Sequence, residues 1–446
     1  MAIKKNKIRN ILLIIASFFF YAYGEPFYVL LLLLSVLVNY FFGRILENNP
    51  RKPVLALSVV FNIGLLFVFK YLDFFLLQTG RVFSVKLPAP HLSLPIGISF
   101  YTFQALSYII DVYRGKVKAQ KSFKNLLLYI SFFPQLIAGP IVKYIDVQEQ
   151  IENRNPGVCD IKDGLIRFTC GLGKKILIAN VMARTADALF AYKGSEFGLL
   201  SAWVAAISYL FQIYFDFSGY SDMAIGLGRM FGFRFQENFD HPYAAGSITE
   251  FWRRWHISLT SWFRDYLYIP LGGNRKGKAR TILNRYIVFA LTGLWHGANW
   301  TFLIWGLWHG SFMMLDRLRT EKSEKKAAKF FGHIYTLLIV TVGFVIFRAD
   351  NITQAAGVIK AMFGFGAKGG AAYAEALMFF SPYSLLIILI AIIGSGNLPK
   401  KIFAGIKERN AERSETFAMC ASILVLILCI GALAVNAYNP FIYFRF

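Results

Sequence analysis

Apolar residues occupy this chain in long blocks divided by short polar breaks. The blocks cover 10–23, 27–43, 54–77, 93–112, 125–142, 164–190 and 197–217 and, after a polar stretch, 286–316, 330–348, 379–396 and 416–437. A helix crosses a bilayer with about 20 mostly apolar residues. The pattern therefore predicts an all-α polytopic membrane protein of about 10–11 transmembrane or re-entrant helices. Gly24-Glu25-Pro26 parts the first two blocks, because proline cannot continue a helix. Phe133-Pro-Gln-Leu-Ile-Ala-Gly-Pro140 interrupts another block. Helices broken at membrane depth line a cavity or are buried in protein. No small-residue cleavage site follows the first block, which argues against a cleavable signal peptide. No repeat divides the chain, so a single domain over 1–446 is expected.

Composition strengthens this picture. Of 446 residues, 56% are hydrophobic and only 16% charged, against about a quarter charged in soluble domains. A soluble surface of this size needs more charge, so a cytosolic globular enzyme is excluded. Cys159, Cys170, Cys420 and Cys429 form no CxxC pair, which excludes a disulfide scaffold and a zinc ribbon. The six histidines show no HExxH and no i,i+4 pair, so no metal site is expected. No Gly-x-Ser-x-Gly elbow is present either.

The net charge of +23 would suggest nucleic acid on a soluble protein. Here the cations cluster between apolar blocks, as the positive-inside rule describes, and no nucleic acid partner is expected. Residues 1–9, 44–52 and 114–124 are basic, while 24–26 and 78–92 are poor in charge. This alternation predicts a multi-pass protein of a bacterial inner membrane with a cytoplasmic N-terminus.

Residues 251–285 carry eight Lys/Arg against one acid, Asp265, and 317–329 is again basic. Only 31 residues, 286–316, lie between the two clusters, too few for two crossings of about 20 each. This segment is expected to dip and return, or to run as short, broken helices. Its middle, Thr292-Gly-Leu-Trp-His-Gly-Ala-Asn-Trp300, places His296 at membrane depth.

An ionisable residue inside a membrane is costly and points to function, and histidine is the usual general base. Gly293 and Gly297 flank His296, and Trp295, Trp300, Trp305 and Trp308 supply apolar walls. A structural histidine bonded to a neighbouring helix is the alternative. His309 lies nearer the basic end and reads as structural or supporting. His256 sits among three tryptophans and three arginines in residues 250–265, an interfacial helix by composition. That helix is either an anchor or a cationic, aromatic floor for a phosphate-bearing donor, with Arg253, Arg254, Arg264 and Trp255 as its groups. In Tyr214-Phe-Asp-Phe-Ser-Gly-Tyr-Ser-Asp222, Asp216, Tyr220 and Asp222 suit hydroxyl binding, or the aspartates pair with nearby arginines.

Three segments, Phe251–Thr260, Trp262–Arg275 and Thr292–Trp300, closely resemble the membrane-bound O-acyltransferase (MBOAT) family, nearest its alginate O-acetylation branch. Leu94–Gln104, Phe132–Pro140, Tyr214–Asp222 and Asn439–Phe446 resemble it too, in the family's order. Members usually begin with a further apolar helix, so the resemblance implies a truncated or misassigned start. It also implies an MBOAT fold of helices around a central funnel or tunnel, with 251–316 as the catalytic segment. The family's catalytic histidine falls on His296 and its second histidine on His256, with Trp295 and Asn299 toward the acceptor side. The implied activity is acyl transfer, with acetyl-CoA or another acyl thioester as donor substrate and no permanently bound cofactor. The implied acceptor is an exported or cell-wall polysaccharide, reached directly or through an extracytoplasmic acetyltransferase partner. D-alanyl transfer to teichoic acid from a carrier protein is the neighbouring alternative. A proton-coupled transporter or flippase, with the histidine as relay, is the alternative from another class.

Overall fold

A computed structural model describes residues 6–319 and 326–435. The Asn439–Phe446 motif, the first five residues and the side chains of 317–328 lie outside the described residues. Every regular element among the described residues is helical. Six helices are long and apolar enough to cross a membrane: Asn6–Gly24, Tyr28–Asn48, Lys52–Phe83, Leu199–Met230, Lys329–Arg348 and Ala411–Val435. A seventh candidate, Ala371–Met378 with Pro382–Ser395, is bent by 73°. Leu30 is exposed on the second of these helices and Leu57, Val60 and Phe75 on the third, as are Ile423, Leu424 and Ile427 on the last. Such apolar faces are what lipid covers, and the protein is a multi-pass membrane protein.

The chain forms two compact units. The first comprises Met1–Leu165 and Ala224–Gln236. Here Ile98–Tyr113 is buried along nearly its whole length. The expected 125–142 block is not one helix. Phe123–Ser131 stops at Phe132, and Phe133–Leu136 restarts with Pro134 in its first turn. Gln135 bridges this break by donating its amide to the Tyr129 carbonyl at 2.6 Å. The broken segment is buried in protein, the second of the two outcomes expected for it. Asn39 and Asn62 exchange side-chain hydrogen bonds at 2.8 and 3.1 Å between two apolar helices, a polar link typical of membrane helix pairs.

The second unit comprises Ile166–Met223 and Glu237–Phe446 and holds every residue of the candidate site. The 286–316 segment returns on itself as expected, but through two unbroken helices. Gly277–His296 and Trp300–Arg319 have 20 residues each. The helices are longer than the apolar block because the first recruits the basic stretch 277–285 and the second runs on to Arg319. Long cationic side chains cost little at a helix end, since their heads reach the interface. The two backbones touch at two glycines. A Cβ on Gly293 would stand 2.2 Å from the Phe302 carbonyl oxygen, and one on Gly306 would stand 2.2 Å from that of Phe289. Small residues at these two positions set the hairpin's closeness.

Candidate active site

The site begins where a short helix is forced to stop. Ser247 caps Ile248–Arg254, its hydroxyl accepting the Glu250 N–H at 3.1 Å. The helix ends at Trp255, and His256 takes a left-handed backbone, φ +45° and ψ +55°, before Ile257–Phe263 begins. That conformation is strained for any residue with a Cβ, and such strain collects at functional positions. The turn buries His256, which is 1% exposed. Phe217 meets its ring edge-on at 4.6 Å.

His296 is the last residue of Gly277–His296, at the tip of the hairpin, and is 8% exposed. Three rings meet it nearly at right angles: Trp295 at 4.9 Å, Trp305 at 5.2 Å and Phe347 at 5.1 Å. Trp295 also lies 6.2 Å from His256, so one indole touches both histidines. The expected walls hold for Trp295 and Trp305, whereas Trp300 is exposed and Trp308 donates to the Ile339 carbonyl at 3.0 Å. His309 is fully buried against Phe251, Trp252 and Trp305. Neither of its nitrogens has a hydrogen-bond partner among the described residues.

Beside the hairpin lies a cleft of about 630 Å³. Arg253, Arg264 and Arg285 bring positive charge to it, Glu250 and Asp316 negative charge, and Trp252 and Phe289 an apolar floor. Arg264 is paired with Asp265 at 2.7 Å. Arg253 and Arg285 make no ion pair among the described residues. Asn274 and Tyr268 also line the cleft and hydrogen-bond each other. Its inner end is close to His296. Thr292 lines it one helical turn earlier, and Trp252 lines it while meeting Trp305 at 5.7 Å. From the cleft, ring contacts run through two indoles, Trp252 and Trp305, to the hairpin-tip imidazole.

The remaining sequence candidates scatter. Arg254 pairs with Glu250 at 2.6 Å and does not line the cleft. Trp255 packs in the aromatic core against Phe239, Phe251 and Phe344. Asn299 caps the second hairpin helix: its oxygen accepts the Thr301 N–H at 3.2 Å, and its amide donates to the Asp350 carbonyl at 2.9 Å. Asp216 pairs with Lys175 at 2.5 Å, and Asp222 with Arg167 and Lys174 at 2.6 Å each. Asp222 thus has the arginine partner that the pairing alternative named, whereas the cation at Asp216 is a lysine. Tyr220 is partly buried on the same helix. The four cysteines are free thiols. Sequence reasoning gave no site role to Phe217, inside the Tyr214–Asp222 segment, to Arg285, counted only within the basic run, or to Asn238 and Phe347, which lie in no quoted motif.

The family model described as MBOAT, membrane-bound O-acyltransferase family, matches residues 116–354. The "Probable alginate O-acetylase AlgI" of Pseudomonas putida is 39% identical over 466 residues, covering 99% of this chain and 95% of that protein. The "Peptidoglycan O-acetyltransferase" of Helicobacter pylori is 37% identical over 386 residues, 79% of this chain and 73% of its own. The "Teichoic acid D-alanyltransferase" of Streptococcus thermophilus is 27% identical over 281 residues, 56% of this chain and 68% of its own.

Proposed function

We propose, from the premise that this chain belongs to the membrane-bound O-acyltransferase family and is an O-acyltransferase, that it moves an acetyl group from a thioester, acetyl-CoA in the first instance, to hydroxyls of an exported or cell-wall polysaccharide. The membrane concerned is the bacterial cytoplasmic membrane, and an extracytoplasmic transferase is the partner that would complete delivery. One observation carries this reading. A cleft bearing two arginines that make no ion pair among the described residues is linked through Trp252 and Trp305 to a buried histidine. Arginine suits the phosphates of a coenzyme, and an apolar inner end suits the acyl thioester.

A hydroxyl is a weak nucleophile at neutral pH, so a base must take its proton as it attacks. His296 is that base. The hydroxyl oxygen adds to the thioester carbonyl and its proton passes to the imidazole. The carbon–sulfur bond then breaks, and the leaving thiolate takes the proton from the imidazolium, so the enzyme ends as it began. Acetyl is favoured over D-alanyl because the acetyltransferase relatives match more of the chain at higher identity.

The test uses purified protein in liposomes with acetyl-CoA and candidate polysaccharides, reading free thiol and polymer acetylation. His296→Ala is expected to insert normally and lose turnover by about 10²–10⁴-fold, the usual worth of a general base. Wild-type turnover in that variant would overturn the assignment. Movement of an unchanged solute without thiol release would support a carrier instead.

A further inference from the structure

We propose that Asn238 is a positioning residue that decides which nitrogen of His256 carries the proton, leaving Nε2 as a bare acceptor for a substrate O–H. This rests on the acyl-transfer reading above.

The assignment follows from donors whose identity is certain. Asn238 is buried, and its backbone carbonyl accepts the Ile257 N–H at 2.9 Å. Its side-chain oxygen receives the Ser258 backbone N–H at 3.3 Å and the Ser258 hydroxyl at 2.8 Å. A backbone N–H only donates, so the atom facing it must be the amide oxygen. The amide nitrogen then points the other way and donates to Ser221 Oγ at 3.1 Å. Both ends of the amide are thus satisfied in one orientation, which removes the usual ambiguity between its oxygen and nitrogen.

His256 Nδ1 lies 3.1 Å from that same oxygen. Ser258 Oγ also stands 3.4 Å from Nδ1, but its hydrogen goes to the Asn238 oxygen at the shorter 2.8 Å; that oxygen accepts only, so Nδ1 carries the hydrogen. Burial pushes the imidazole down to about 3, so the ring is neutral at pH 7. A neutral imidazole with its hydrogen on Nδ1 has a lone pair on Nε2. Nε2 is buried and has no hydrogen-bond partner among the described residues. The rings around it belong to Phe217, Phe239 and Trp295, none of which can be charged.

His256 therefore accepts and does not donate. An oxyanion requires donors, so stabilising the developing oxyanion is not its role. An acceptor beside the reaction centre holds a hydroxyl neighbouring the one that attacks. The strained left-handed backbone at His256 fits this: Asn238 grips the two residues that follow it, Ile257 and Ser258, and the ring itself.

The test is nitrogen NMR of the full-length, histidine-labelled protein in nanodiscs, with His256 assigned by loss of its signal in His256→Gln. The wild type is expected to show an unprotonated Nε2 from pH 5 to pH 8. Asn238→Leu is expected to lose that preference and to lower kcat about tenfold or more, with donor KM within about twofold. Asn238→Asp keeps an acceptor for Nδ1–H and is expected to restore most turnover. Its carboxylate stabilises the imidazolium, so the acid limb of the rate profile moves to higher pH. A proton on Nε2 in the wild type overturns the proposal, as does Asn238→Asp behaving like Asn238→Leu. The spectrum requires no turnover. Failure of acyl transfer in the wild type would strike the functional reading and leave the tautomer standing.

Discussion

Two groups of polar side chains are buried in the second unit, and they are handled in opposite ways. The aspartates of Leu199–Met230 are each matched by cations, Asp216 by Lys175 and Asp222 by Arg167 and Lys174. The histidines are instead enclosed by rings, His256 by Phe217 and Trp295, His296 by Trp295, Trp305 and Phe347, and His309 by Phe251, Trp252 and Trp305. A charge taken out of water needs an opposite charge at once. An imidazole can be neutral and so tolerates an apolar cage that a carboxylate does not. Matched groups hold the helices in register, whereas the ring-enclosed His256 and His296 are the groups to which the proposal above gives chemistry.

The contrast can be tested by breaking each kind of arrangement. Asp216→Leu strands the Lys175 ammonium and is expected to cost about 3–5 kcal/mol, seen as a lower Tm in detergent. Adding Lys175→Met should return most of that loss, since an apolar pair of similar volume is about neutral. Return of stability without return of activity would assign the pair a role beyond structure. The cleft arginines come next. Arg253→Ala with Arg285→Ala is expected to raise donor KM about tenfold or more while kcat holds, because hydrogen bonds to charged groups are worth about 1.5–3 kcal/mol each. The same double variant should also show a weaker salt dependence of donor KM.

Acid should then act through the caged histidine. The native pKa of His256 is depressed to about 3 from 6.5. As pH falls below 6.5 the unfolded chain binds a proton that the folded chain refuses. Stability present above 6.5 is lost on the way down toward 3, at about 1.4 kcal/mol per pH unit. Thermal midpoints between pH 7.5 and 5 measure this, and His256→Gln should flatten the slope. The smallest effect belongs to Arg254, whose half-exposed pair with Glu250 is expected to be worth about 0–1 kcal/mol. Arg254→Ala should leave donor KM within about twofold, in contrast with Arg253.

Adjacent residues with the same chemistry separate here, and that marks how far the sequence could be read. Arg253 and Arg254 are indistinguishable in a motif, yet a helical step of about 100° sends one to the cleft and the other to Glu250. Arg264 could be found because it sits in the same basic run. Arg285 and Asn274 belong to the same 251–285 stretch, yet only folding turns them into the cleft. The break at Pro134 was legible since proline forbids helix continuation locally. The unbroken hairpin was not legible: hydropathy counts apolar residues, while a helix end also admits arginines whose heads reach water.

The sequence by itself determined the membrane class, the helical content, the family and the candidacy of His256 and His296, because apolar periodicity and local motifs are written along one dimension. The tertiary structure alone decided that Asp216 and Asp222 are matched by cations, that Trp295 touches both histidines, and that Asn238 faces Nδ1 rather than Nε2. Each of these depends on the meeting of atoms far apart in the chain, and a hydrogen bond is set by tenths of an ångström that no residue order records.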